Sequence, residues 1–216
     1  MVSIGLDTKP WTHKCVGTII TSNAILTSSK CLEKIDEMKT ITAGAENLQS
    51  PEPGTYVETY EVKNYVSSET NDLAVVYTTK NMHFNEKTQA ICLPENDNKK
   101  APKKRTFVIF QKKGSRAEGY PGESQYAKND ECSSWSWLNL TCCSKVCVQM
   151  KQQVRPIDSG APLISDMDRV RKYFDVNGIL SDVDNEMNPG VFAYVQYPDN
   201  FEFINNHVWK EEVSTG

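Results

Sequence analysis

Short segments with strand character recur along the whole chain between turn signals, and this rhythm constrains the fold more than any other feature. They run over residues 16–20, 24–27, 56–66, 73–77, 107–110, 161–164, 173–180 and 190–197. Clusters of glycine, proline, asparagine and aspartate separate them, which is the pattern of an all-β protein. Only the tail reads as helix. There Phe201, Ile204, Val208 and Trp209 recur at helical spacing after Pro198-Asp199-Asn200, which predicts a helix over 199–211 with Asp199 or Asn200 as its cap. A length of 216 residues allows one sizeable core, or two small barrels sharing one.

No run approaches the roughly 18 apolar residues of a membrane span, and residues 1–30 lack the charged and apolar regions of a signal peptide. Seven cysteines nevertheless suit an oxidising compartment. With the glycosylation triplet Asn139-Leu140-Thr141 they point to a secreted, extracellular protein whose signal peptide has been removed. A formal charge of −4 argues against nucleic-acid binding, which needs a cationic field. The charge is uneven, however. Lys99, Lys100, Lys103, Lys104 and Arg105 are followed by Lys112, Lys113 and Arg116, so the loop 99–116 is either a solvated surface or a patch for an anionic glycan or acidic partner. No metal or cofactor signature is present, since Cys142, Cys143 and Cys147 have no histidine nearby and read better as disulfide partners.

Three motifs carry the chemistry. Ile157-Asp158-Ser159-Gly160-Ala161-Pro162 resembles Gly-Asp-Ser-Gly-Gly-Pro, the nucleophile loop of the trypsin/chymotrypsin serine proteases. Thr27-Ser28-Ser29-Lys30-Cys31 resembles the segment that delivers the catalytic histidine, and Asn71-Asp72-Leu73-Ala74 the one that delivers the aspartate. Their order matches the His, Asp, Ser template of such enzymes. Ile91-Cys92-Leu93-Pro94 resembles the family's approach to its inter-barrel connection. The resemblance implies an all-β, chymotrypsin-like fold of two six-stranded antiparallel barrels with a C-terminal helix. It implies one protease domain over 1–216, with halves 1–100 and 106–198. Val2-Ser3-Ile4-Gly5 would then be a degraded mature N-terminus, and Pro10-Trp11 a shortened family Pro-Trp.

By the same resemblance Cys15 pairs with Cys31, and Cys132 with Cys142 or Cys143. Two family bridges are lost as whole pairs. Phe107 and Ser165 replace one, and Arg155 with the Asn185-Glu186 region replaces the bridge that braces the specificity pocket. Cys92, Cys147 and one of Cys142 and Cys143 stay unassigned. In relatives the cysteine matching Cys92 often holds a light chain or extension.

The triad positions read Lys30, Asp72 and Ser159, so the base is missing. Imidazole titrates near 6.5 and lysine near 10.4, and a Ser–Lys pair needs a neutral lysine. The resemblance places Lys30 beside Asp72, whose carboxylate would stabilise the ammonium as an ion pair. In the oxyanion region Ile157, Asp158 and Ser159, Ile157 stands where the family has a glycine that supplies a backbone donor; losing one such donor costs ~10²–10³ in turnover. Ser181-Asp182-Val183 replaces the Ser-Trp-Gly edge that pairs with substrate, so Val183 narrows the specificity pocket; Gln153 lies near its base, and Gly190 within Pro189-Gly190-Val191-Phe192 in its back wall. In active relatives a freed N-terminal amine pairs with the aspartate matching Asp158; with the segment before Cys15 short and ill-matched to the family, the resemblance implies a zymogen-like loop or an alternative partner for Asp158. His13, His83 and His207 sit outside the motif.

The resemblance therefore implies a proteolytically inactive, secreted homologue without cofactor. It would act by protein binding as a decoy, cofactor or regulator of a proteolytic cascade such as complement, clotting or melanisation, in the service of immune evasion or cascade control. The alternatives are a weak serine hydrolase using Ser159 with Lys30, and a glycan-binding module using 99–116.

Overall fold

The computed structural model describes residues 1–6, 12–33, 40–45, 56–94, 105–107, 110–112, 119–121, 125–126, 128–130, 144–149, 154–165, 173–183 and 189–209. Its first half holds β1 (Val2–Leu6), β2 (Thr12–Ile19), β3 (Ala24–Thr27), the single-turn helix α1 (Ser29–Leu32), β4 (Thr40–Ala43), β5 (Glu58–Ser67) and β6 (Ala74–Thr78). These six strands close an antiparallel barrel in the order β1-β2-β3-β6-β5-β4.

Strand periodicity explains how the barrel serves two cores. Successive strand residues point to opposite faces, and here both faces are buried. Ile25, Ala74 and Val76 join Val2, Ile4, Ile19 and Ile41 in the barrel interior. Their neighbours Ala24, Leu26, Val75 and Tyr77 pack outward against Val176, Ile179, Ala193 and Ile204 of the second half. That is why residues 73–77 read as an unbroken apolar run.

The second half contains β7 (Arg105–Phe107), β8 (Phe110–Lys112), β9 (Gly119–Pro121), β10 (Gln125–Tyr126), β11 (Lys128–Asp130), β12 (Lys145–Gln149), β13 (Pro162–Ser165), β14 (Val176–Val183) and β15 (Pro189–Tyr194). Seven of them form one sheet, in the order β10-β7-β13-β14-β15-β12-β11, and β8 pairs with β9. A closed six-stranded barrel, a second antiparallel sheet and a C-terminal helix constitute the chymotrypsin-like fold.

Several expectations are corrected. Val2-Ser3-Ile4-Gly5 is not a mature N-terminal motif but a barrel strand, with Ile4 facing Cys15 on one side and Ile41 on the other. The strand expected at 107–110 is instead two, β7 and β8, in different sheets. The helix is α2 (Pro198–Val208), and neither Asp199 nor Asn200 caps it. Tyr197 holds the cap position and Pro198 starts the helix, where its missing N–H costs nothing. Asn200 turns inward instead, and its buried side-chain amide donates to the Tyr194 carbonyl at 2.8 Å, tying the helix to the end of β15. Ile204 and Val208 bury the same helical face, whereas Trp209 is exposed.

Candidate active site

Three elements from the two halves converge on the site. Cys15 and Cys31 are disulfide-bonded, which fastens α1 to β2. The bridge holds Ser28, Ser29 and Lys30 against the loop that carries Asp72. From the other half come β14 and the 3₁₀ turn Pro156–Asp158 that precedes Ser159.

Asp72 is bound by its neighbours in space, without the lysine side chain. Ser28 Oγ donates across both of its oxygens at 2.8 Å. Ser29 Oγ donates to Oδ1 at 2.5 Å, and the Lys30 backbone N–H donates to the same Oδ1 at 2.9 Å. The Lys30–Asp72 ion pair expected from the sequence is absent. Lys30 Nζ instead lies 2.6 Å from Asp182 Oδ2, across the cleft between the halves. The physical reason is that hydroxyl and amide donors already satisfy Asp72, so the long lysine side chain extends to a second carboxylate. With side chains 45% and 46% exposed, this pair is screened by solvent and worth at most about 1 kcal/mol. Its consequence is positional: an ammonium and a carboxylate stand where the chain edge faces the cleft.

Asp182 owes its aim to a β-bulge. The β14–β15 register shifts between Leu180 and Asp182, leaving Ser181 as the extra residue. Ser181 is buried and its hydroxyl has no hydrogen-bond partner among the described residues. Val183 pairs with Gly190 at the end of the ladder. A Cβ on Gly190 would come 2.9 Å from the Phe192 ring, so only glycine fits there without displacing it.

The nucleophile loop is held from several sides. Gly160 adopts φ +88°, and a Cβ there would stand 2.0 Å from the Val16 carbonyl, so the turn requires glycine. Its N–H donates to the Leu180 carbonyl, and the Ser159 carbonyl accepts from Val16 N–H at 2.9 Å. Ser159 Oγ lies 3.5 Å from the Leu180 carbonyl, at the outer limit of a hydrogen bond. No hydrogen bond among the described residues joins Ser159 to Lys30, Asp72 or a histidine.

Asp158 is fully buried, and its cation is Arg155. The guanidinium donates Nη2–H to Oδ1 at 3.0 Å and Nε–H to Oδ2 at 3.2 Å, while the Arg155 backbone N–H adds a bond of 2.9 Å. A planar fork matches a carboxylate in this way. Arg155 thus supplies the charge that Asp158 needs. Ile157 sits in the 3₁₀ turn, whose negative φ a β-branched residue accepts, and its carbonyl accepts from His13 Nε2 at 3.1 Å. That contact fixes the tautomer: Nε2 carries the proton, and Nδ1 accepts from the Ser3 hydroxyl. Desolvation pushes the His13 pKa down to about 4, against a smaller rise from the Ile157 carbonyl and a further lowering by Arg155.

The model for the Trypsin family matches residues 1–201. The chain belongs to the trypsin family. It is 27% identical over 200 residues to transmembrane protease serine 11G of Mus musculus, covering 86% of this chain and 48% of that protein. The Rattus norvegicus protein of the same name is 26% identical over 204 residues, 88% of this chain and 48% of its own length. The venom serine protease Bi-VSP of Bombus ignitus is 32% identical over 92 residues, 39% of this chain and 25% of that one. The chain spans about half the length of the transmembrane proteases it matches. No helix among its own described residues is long and apolar enough to cross a membrane.

The structure places Lys30 against Asp182, Asp72 against Ser28 and Ser29, and Ser159 beside the Leu180 carbonyl, while Asp158, Ser181 and Gly190 are buried and Ile157 is exposed. Gln153, Asn139, Cys132, Cys142, Cys143 and most of the basic loop, including Lys99, Lys100, Lys103 and Lys104, lie outside the described residues. Cys147 is buried and disulfide-bonded. Cys92 is exposed with a free thiol, its pKa raised by desolvation and by the Asp175 carboxylate. Sequence reasoning missed two contributions. The Arg155–Asp158 pair had a signal, since opposite charges three residues apart meet in a helical turn. Ser28 and Ser29 had one as well, being two adjacent hydroxyls beside Lys30 in the motif.

Proposed function

We propose that this trypsin-family domain is secreted and proteolytically inactive, and acts by binding protein as a decoy, cofactor or regulator of a proteolytic cascade. The observation that carries the reading is the position of Lys30. A serine hydroxyl becomes a nucleophile only when a base takes its proton, and an ammonium engaged with Asp182 has no lone pair to offer. Ser159 and Asp72 remain as structural groups. The serine sits in a turn shaped by Gly160, and the aspartate organises the start of α1 through Ser28, Ser29 and the Lys30 amide.

Transition-state support is also weakened in this reading. The Ile157 carbonyl is drawn to His13, and the Asp158 N–H is bonded to the Arg155 carbonyl at 2.8 Å, so the turn is committed to its own internal contacts. Substrate would further have to displace the Lys30–Asp182 pair from the cleft.

Mass spectrometry after incubation with an organofluorophosphonate, beside an active trypsin-like control, tests the proposal. We expect full labelling of the control and no adduct on Ser159. An adduct on Ser159 would overturn the reading in favour of a serine hydrolase.

A further inference from the structure

We propose that Ser28 and Ser29 are positioning residues: they have taken over Asp72 from the side chain at position 30, and so direct Lys30 across the cleft to pin Asp182. The inference deepens the non-catalytic reading above and rests on it for its meaning, but its test does not depend on hydrolysis.

A carboxylate offers about four acceptor sites. At Asp72 three donors converge, all from residues 28–30 and all on Oδ1: the Ser28 hydroxyl, which also forks to Oδ2, the Ser29 hydroxyl and the Lys30 amide. Ser28 is fully buried, so its hydroxyl cannot turn to water, and Asp72 is the acceptor within its reach. An aspartate satisfied in this manner needs no ammonium to offset its burial. Lys30 then gains more from the Asp182 carboxylate, which the Ser181 bulge brings within 2.6 Å. Replacing the base is therefore only part of the change at this site. An imidazole restored at position 30 would meet an aspartate already engaged by hydroxyls.

Two experiments on the whole chain decide this. In the first, histidine titrations are followed by NMR in K30H and in S28A/S29A/K30H. With the hydroxyls present, the new imidazole is expected to titrate without coupling to Asp72. With both removed, it should bond to Asp72, and its midpoint should rise by about one unit or more, as for a group gaining a nearby carboxylate. Equal midpoints in the two variants, both moved by D72N, would overturn the proposal. Should the triple variant fail to fold, the second experiment stands alone. Lysines are reductively methylated with ¹³C, and the Lys30 resonance is assigned by its loss in K30R. We expect D182N to shift that resonance and D72N to leave it in place; the opposite pattern would overturn the proposal. Fluorophosphonate labelling of the wild-type protein reports separately on the inactive reading. An adduct accompanied by the expected NMR pattern would sink that reading and leave the serine assignment standing.

Discussion

Arg155 shows how one side chain can settle two questions. Its guanidinium neutralises a buried carboxylate, and its backbone N–H orders the turn before Ser159. Removing one partner of such a pair leaves an uncompensated charge, at a cost of 3–5 kcal/mol. Because Arg155 is about a third exposed, water recovers part of that. We expect R155L to lower stability by about 3 kcal/mol in denaturant titration, and D158N added to it to restore a good part. A D158N addition that brings no recovery would show that the arginine acts through packing alone. At this scale the sequence was only partly legible. The motif resemblance singled out Lys30, but the partner of its side chain was not legible, because Asp182 lies 152 residues away and its aim depends on a bulge. The serines that engage Asp72 stood beside Lys30 in plain view, yet their reach is a matter of rotamers rather than of pattern.

At the scale of elements, the strands that sequence found are those with apolar residues on both faces, such as β3 and β6, or with long β-rich runs, such as β5. Two barrel strands were missed. β4 is only four residues, Thr-Ile-Thr-Ala, all buried, and two buried threonines disguise it. β1 was read as a terminal motif because its glycine and serine weaken the strand signal, although Ser3 is buried and bonded to His13. The helix was legible by its apolar period, but its start was not. Asn200 looked like a cap and is a tether, since its amide finds a carbonyl of β15 rather than its own turn. N200A removes the tether, but the Tyr194 carbonyl keeps its bond from the Tyr197 N–H, and the buried Asn200 Oδ1, unpartnered among the described residues, goes with the amide, so a loss of only about 1 kcal/mol is expected. Circular dichroism should show the helix retained while the midpoint falls. Loss of helical signal without change in the rest would mean that Asn200 supports the helix itself.

For the whole molecule, acid is the informative stress. His13 is neutral in the fold with a pKa pushed down to about 4, while an unfolded histidine titrates near 6.5. The unfolded chain therefore binds more protons between these values. The histidine's contribution is complete above about pH 6.5 and is lost as pH falls toward 4. Protonation would also place a second N–H where Nδ1 now accepts from Ser3. We expect the melting temperature to fall across this window, and H13Q, which keeps a donor for the Ile157 carbonyl, to flatten that slope. A slope unchanged by H13Q would assign the acid sensitivity to the carboxylates. The overall architecture was legible because turn chemistry and motif order act over short spans, whereas the joint between the halves depends on contacts that no local pattern encodes.

Tyr77 of the first barrel donates its hydroxyl to the carbonyl of His207 in α2, and around it Leu26, Leu73 and Val75 are covered by Val176, Ile179, Ile204 and Val208. Synthesis proceeds from the N-terminus at about 5–20 residues per second. The first barrel must therefore wait many seconds, with this apolar face bare, for segments made about a hundred residues later. A nascent chain in that interval presents a ready surface to chaperones and to other nascent copies. The vulnerable moment of this protein is thus its birth rather than its maturity.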